Sequence, residues 1–234
     1  CSVRSDSTTT DLGSVPYADG ARSIVLIGTR DIAAVPVTGS GVTVLPCADV
    51  GGVPVAAVHL SGVAVQPYEG GPAAGDVGAR LALARSAALL GSAAAAYDLT
   101  RAYVTERQQF GAPLIAIPAV SASLAQMAVR IRTTQSVVDR AAGVLMDGEI
   151  PGERCFAAAA AARIIAAESA THIARAAHQL HGAVGITAEY GLHPHTRRLW
   201  AWRDADLTEQ TWSERLGENV RGSDESTFWE QLTG

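Results

Sequence analysis

The sequence predicts an α+β chain that is mainly α: an antiparallel helical bundle preceded by a small antiparallel β portion. Three observations carry this expectation. Apolar residues recur at three- and four-residue steps through most of the chain after residue 76. Before it, short apolar runs alternate with Gly, Pro, Asp and Ser at the spacing of antiparallel strands. Hydrophobic residues make up 48% of the 234 positions against 18% charged, so a sizeable core is available.

Residues 1–69 form the β portion. Ser23-Ile24-Val25-Leu26-Ile27 is a buried-strand run followed by the turn formers Gly28 and Asp31. Ala33 to Val37 and Val42 to Leu45 continue the pattern, and Val53 to Leu60 and Val63 to Val65 supply two more runs. A sheet of so few strands buries little and leaves open edges. Residues 70–76, Gly-Gly-Pro-Ala-Ala-Gly-Asp, read as a linker.

Residues 77–234 form the helical bundle. Arg80 to Phe110 carries no proline and one internal glycine, Gly91. As a helix it spans about 45 Å at ~1.5 Å per residue. In the second helix Ile117, Val120, Leu124, Met127, Ile131, Val138 and Leu145 mark one face, with Pro118 tolerable in the first turn. A third runs from about Arg154 to Leu180, where Ala157 to Ala162 permit close helix approach and Gly182 and Gly185 end it. A fourth spans Leu192 to about Ala205, and a fifth Glu209 to about Val220. Long helices joined by short loops imply antiparallel neighbours. Beyond Gly222 the tail is polar apart from Phe228 and Trp229.

The bulk properties exclude several classes. A formal net charge of −5 argues against a nucleic-acid surface. No apolar run is long enough to predict a membrane span. Cys1, Cys47 and Cys155 are far apart and odd in number, so neither a disulfide framework nor a metal knuckle follows, and a reducing cytoplasm is the default expectation. The chain has no lysine; its cations are arginine and histidine, and arginine favours planar recognition of phosphates and carboxylates.

Two segments rise above composition. The first is Tyr103-Val104-Thr105-Glu106-Arg107-Gln108-Gln109-Phe110-Gly111-Ala112-Pro113, where one long helix gives way to the next. The second runs from His178 through Gln179, His181, Gly182, Ala183 and Gly185 to Glu189-Tyr190, with His193 and Arg197-Arg198 following. An arginine at a helix end beside an aromatic suits a phosphate and a flat ring. Glycines let a backbone approach a ligand closely. Read on the residues alone, Arg107 equally fits an ion pair with Glu106 or another acid, and Gln179 equally fits local hydrogen bonds at a helix end.

Together these segments resemble the signature stretches of acyl-CoA dehydrogenases, over roughly residues 11–220. The resemblance implies a C-terminal helical domain preceded by a β remnant of the family's middle domain, with Gly13 to Tyr17 where a flavin-facing strand enters. It implies FAD as cofactor. Arg107 would pair with the pyrophosphate and Phe110 would pack on the cofactor, both in a neighbouring subunit's site. Gln179 and the backbone at Gly182-Ala183 would contact its adenine side.

The family's chemistry needs a carboxylate beside the substrate α carbon. By the same register, the family's base falls on Asp206, and Thr208 and Gln210 match cofactor-contacting positions. Aspartate is one methylene shorter than glutamate, and a ~1 Å misplacement can cost on the order of 100-fold in rate. Another position used for the base falls on Leu81. The cationic position that follows falls on Ala82, with Arg80 and Arg85 out of register. His193 and His195 beside Pro194 read as surface or interface residues, and Trp200, Trp202 and Trp212 as packing groups. The resemblance implies an acyl-CoA substrate, electron-transfer flavoprotein as acceptor, and a second acyl-CoA dehydrogenase chain as partner in a hetero-oligomer that supplies the base. Two other readings stay open: a C-terminal fragment of an ordinary homo-oligomer with Asp206 catalytic, which the absent initial methionine favours, and a scaffold that has lost its cofactor.

Overall fold

The computed structural model describes residues 8–28, 31–65, 67–147, 152–222 and 224–233. The chain divides into two compact units, Cys1–Gly78 and Ala79–Gly234. Cys1 lies outside the described residues.

The first unit holds five strands: β1 Thr8–Pro16, β2 Ser23–Ile27, β3 Ile32–Pro36, β4 Val42–Ala48 and β5 Pro54–Val63. β5 lies between β1 and β4 in an antiparallel sheet, and β2 and β3 form a separate hairpin closed by a Gly28 N–H to Asp31 carbonyl bond of 2.8 Å. Ala56, Val58, Leu60, Val63 and Val65 are buried in one cluster with Ile24, Ala33 and Val35. Two expectations change here. β1 is a strand although Thr8–Pro16 has no apolar run; its backbone is held by β5, and pairing rather than burial makes it a strand. Its register shifts between Asp11 and Ser14, around Gly13 at φ +64°, which is a bulge that a side chain would strain. The two runs expected at Val53–Leu60 and Val63–Val65 merge through β5, because pairing with β1 carries the strand as far as Val63.

The second unit is built on long helices: α1 Ala74–Glu106, α2 Pro118–Met146, α3 Gly152–His181, α4 Leu192–Arg203, α5 Glu209–Gly222 and α6 Glu225–Thr233. α1 begins inside the stretch expected as a linker, because Ala74 and its successors take up helical bonds directly after Pro72 and Ala73. The tail beyond Gly222 is helical as well. Asp224 caps it, accepting from the Thr227 amide at 3.0 Å and the Thr227 hydroxyl at 2.8 Å. Between α1 and α2, β6 Gln108–Gln109 and β7 Ala112–Pro113 make a minimal hairpin.

α3 is the hub, packing against α2, α4, α5 and α6. The Thr134 to Ser169 hydroxyl bond of 2.9 Å and the Cys155 thiol to Val144 carbonyl contact of 3.8 Å fix α2 and α3 as antiparallel. Pairings of His178 with Thr196 and Arg163 with Trp202 do the same for α3 and α4. Ala157, Ala158, Ala159, Ala160, Ala162, Ala166, Ala167, Ala170, Ala174 and Ala177 are all essentially inaccessible. Methyl side chains let helix backbones approach, and larger neighbours such as Leu89, Met127, Ile173 and Leu199 fill the remaining space. Among the described residues no helix is long and apolar enough to cross a membrane.

Enlarging one of these methyl groups must push helices apart. Ala160→Leu is expected to lose about 1–3 kcal/mol by overpacking, whereas Ala125→Leu, on the exposed face of α2, stays within about 0.5 kcal/mol. Thermal or urea unfolding of both variants checks this.

Candidate functional site

The two sequence segments meet at one end of the bundle. α1 stops where the Arg107 amide bonds the Tyr103 carbonyl at 2.9 Å, and the Leu114 amide returns to the Arg107 carbonyl at 2.9 Å. The hairpin in between turns at Phe110 and Gly111, with φ +55° and +82°. Positive φ at both central residues is the geometry of a tight hairpin turn. For phenylalanine it is costly, on the order of 1–3 kcal/mol. The ring is 91% exposed, so the fold of this chain gains no burial in return. The strained backbone thus holds an apolar ring out in solvent, where it is free to meet another surface.

α3 ends beside it. His181 is buried, and its Nδ1 donates to the Ala177 carbonyl at 2.8 Å. Its ring stacks on Tyr103 at 4.6 Å and meets Tyr190 edge-on at 4.9 Å, while Tyr103 and Tyr190 meet at 5.6 Å. This aromatic trio ties the end of α1 to the end of α3 and to the turn before α4. Gly182 and Ala183 follow at once, exposed, with Gly182 at φ +59°. A Cβ at Gly185 would stand 2.8 Å from His181 Cβ and 3.2 Å from Leu192, so only glycine lets this loop fold back onto α3. Gln179 is exposed and edges an open groove of about 480 Å³ along α3, shared with Glu168, Thr171, His172, Arg175 and Ala176.

Arg107 is exposed and, among the described residues, has no acidic partner. The ion pair with Glu106 that the residues alone allowed is therefore not formed. A free guanidinium, an exposed aromatic and two exposed backbone units at one corner fit a cofactor carrying phosphates and flat rings.

Asp206, Thr208 and Gln210 stand elsewhere. From Arg85, which binds Asp206, to the end of α1 is about 30 Å at ~1.5 Å per residue. The structure thus splits the expected residues between two ends of the bundle. Arg85 Nε donates to one Asp206 carboxylate oxygen at 2.9 Å and Nη2 to the other at 3.4 Å. Asp206 itself sits at φ +67°. Thr208 Oγ1 caps α5, accepting from the Thr211 amide at 3.3 Å, and the Gln210 amide bonds Glu214 at 2.9 Å. Leu81 is exposed one turn before Arg85, and Ala82 is buried. Of the tryptophans, Trp212 is buried against Phe156, and Trp200 and Trp202 are half-buried beside arginines.

Arg163 was not singled out by the sequence. It is the largest fully buried side chain, 1% exposed, and its Nη2 donates to the carbonyls of Trp202, Arg203, Ala205 and Leu207. Burial pushes its guanidinium down to about 10, while Asp206 and Asp204 raise it and Arg85 lowers it. Keeping the charge there carries a desolvation cost, which its bonds to the carbonyls offset. The one signal available was a long cation inside an alanine face. Among the described residues no three His, Cys, Asp or Glu gather as a metal would need.

Comparison with known proteins bears on this arrangement. The family description "Acyl-CoA dehydrogenase, C-terminal domain" matches residues 78–208. The chain is 39% identical over 132 residues to the probable acyl-CoA dehydrogenase YngJ of Bacillus subtilis (strain 168), covering 56% of this chain and 32% of that protein. The chain thus spans about a third of that relative's length. The fold matches the ChsE4-ChsE5 complex from Mycobacterium tuberculosis with a TM-score of 0.81 at 21% identity, over 92% of this chain and 60% of that one. It matches a variant of the Tcur3481-Tcur3483 steroid ACAD with a TM-score of 0.84 at 23% identity, over 93% and 60%.

The buried imidazoles give this end a pH signature. Burial lowers His181, opposed by its bond to Ala177 and aided by His178; burial and His193 lower His178. The unfolded chain therefore takes up these protons first on acidification. Stability is full above the ordinary histidine value near 6.5 and falls as pH drops below it. Melting temperature is expected to hold from pH 8 to 7 and decline from 6.5 to 5. In His181→Phe the slope should flatten by about one proton, worth ~1.4 kcal/mol per pH unit at most. An unchanged slope would exclude His181 as a titrating group.

Proposed function

Because the chain belongs to the acyl-CoA dehydrogenase family, we propose that it forms part of a flavoprotein that dehydrogenates an acyl-CoA thioester at the α and β carbons, lending residues to an FAD site shared with another polypeptide. The observation that carries this is the corner holding exposed Arg107, which has no acidic partner among the described residues, and strained, exposed Phe110 beside the exposed Gly182-Ala183 backbone. Arg107 holds the cofactor's pyrophosphate as a planar double donor. Phe110 covers a ring face and excludes water. Gln179, Gly182 and Ala183 orient the adenine side. When bound, FAD accepts the hydride from the substrate β carbon.

The end bearing Asp206, Thr208 and Gln210 faces a different site, since about 30 Å of α1 separates it from the Arg107 corner. There the carboxylate that stands at the base position is engaged on both oxygens by Arg85. A general base needs an oxygen free to reach the α proton. In this reading the base of the functional site is supplied by the partner chain, and the Arg85 contact is what supports assigning it there rather than to Asp206. Two solved neighbours carry paired chain names, the ChsE4-ChsE5 complex and Tcur3481-Tcur3483, the second called a steroid ACAD. They support a hetero-oligomer and a bulky acyl group, and electron-transfer flavoprotein is the acceptor that fits the family.

Two variants in the assembled complex test this. Arg107→Ala removes a charge-assisted bond worth about 1.5–3 kcal/mol, so flavin retention should weaken by roughly 10- to 100-fold, read from bound absorbance after gel filtration. Asp206→Asn should leave dehydrogenation of the assembled enzyme within about twofold. Loss of activity in Asp206→Asn would instead make Asp206 the working base, as the homo-oligomer reading requires. Full flavin retention in Arg107→Ala would remove the cofactor role and favour a scaffold.

A further inference from the structure

α4 ends at Arg203, and α5 starts at Glu209. The turn between them is short, yet two features make it hard to hold. The last carbonyls of a helix have no partners within the helix, and they carry its negative partial charge. Asp206 also adopts φ +67°, which a residue with a side chain disfavours. Something must over-determine this backbone.

The Arg163 guanidinium meets that need from inside. A single nitrogen, Nη2, lies 3.0 Å from the Trp202 carbonyl, 2.7 Å from Arg203, 3.1 Å from Ala205 and 3.4 Å from Leu207. The four carbonyls bracket Asp206 on both sides and converge on one cation. Arg85 meets the same turn from outside, through the Asp206 carboxylate. Arg163 is buried among the alanines of α3, where a leucine or methionine would avoid the desolvation cost. A charge retained there is explained by the carbonyls it gathers.

We propose that Arg163 is a positioning residue that sets the backbone of the Asp204–Thr208 turn, and with it the placement of the Asp206 carboxylate and of Thr208 at the start of α5. It touches no ligand and acts through the peptide carbonyls. The positioning stands on the geometry alone and does not depend on whether Asp206 is a working base.

The test is hydrogen–deuterium exchange of the full chain, comparing Arg163→Met and Arg163→Lys with the wild type. In Arg163→Met, amides of residues 203–208 should exchange at least about tenfold faster, while peptides of α2 and α3 stay within about threefold. Arg163→Lys keeps the charge but carries its donors on a shorter side chain, further from the four carbonyls, so it should lie between the two. Unchanged exchange at 203–208 would overturn the proposal. So would equal acceleration in every helix, which marks a core role only. Where Arg163→Met does not fold, Arg163→Lys decides alone: selective loosening of 203–208 supports the proposal, and wild-type exchange there overturns it. No flavin enters this readout, so its failure is separable from failure of the shared-site reading.

Discussion

The close approach of helices around α3 is the constraint on which the bundle depends. Ten inaccessible alanines on one helix leave room for α2, α4, α5 and α6 to pack against it. Dispersion contacts at this spacing are individually weak and collectively large. They also dictate where polar groups can survive. Thr134 and Ser169 satisfy each other between α2 and α3, and Arg163 spends its charge on carbonyls at the end of α4. Ser86 and Thr100 instead turn their hydroxyls back onto carbonyls of their own helix, Ala82 and Ala96, at 2.7 Å.

That packing produces two ends of different character. At one, the aromatic trio of Tyr103, His181 and Tyr190 fastens three segments together, so that the exposed residues beyond it are held by a rigid base. The groups left pointing outward are a guanidinium, a phenyl ring and bare backbone. At the other end the charges are turned on one another: Arg85 on Asp206, Arg203 on Asp204, and Arg163 on the turn that carries both acids. Among the described residues Arg107 at the first end has no acidic partner. At the second, Arg85 and Arg203 each bind an acid of the same end. An outward-facing corner and one whose charges pair internally therefore share one helix scaffold.

Much of this was legible from residue order. The three- and four-residue steps of Leu124, Met127, Val138 and Leu145 located the buried face of α2, and the alanine run located the hub. Local order also placed Arg107 and Phe110 at a helix end. Three things lay beyond it. β1 has no apolar run, and the strand that holds it, β5, lies roughly 40 to 55 residues on. The bond between Arg85 and Asp206 spans 121 residues of sequence, so register alone left Asp206 looking like a free carboxylate. Arg163 looked like one more helical arginine, because burial depends on which face meets α4. In each case the deciding fact is a long-range contact, which periodicity cannot express.

The central claim is that the flavin site is shared, with this chain supplying its Arg107 corner. The most direct measurement is flavin stoichiometry of the 234-residue chain, purified alone and then together with a partner acyl-CoA dehydrogenase chain. A shared site predicts no retained flavin in the chain alone and stoichiometric flavin in the pair. Flavin bound tightly by the chain alone would contradict it, as would a pair that assembles and holds none.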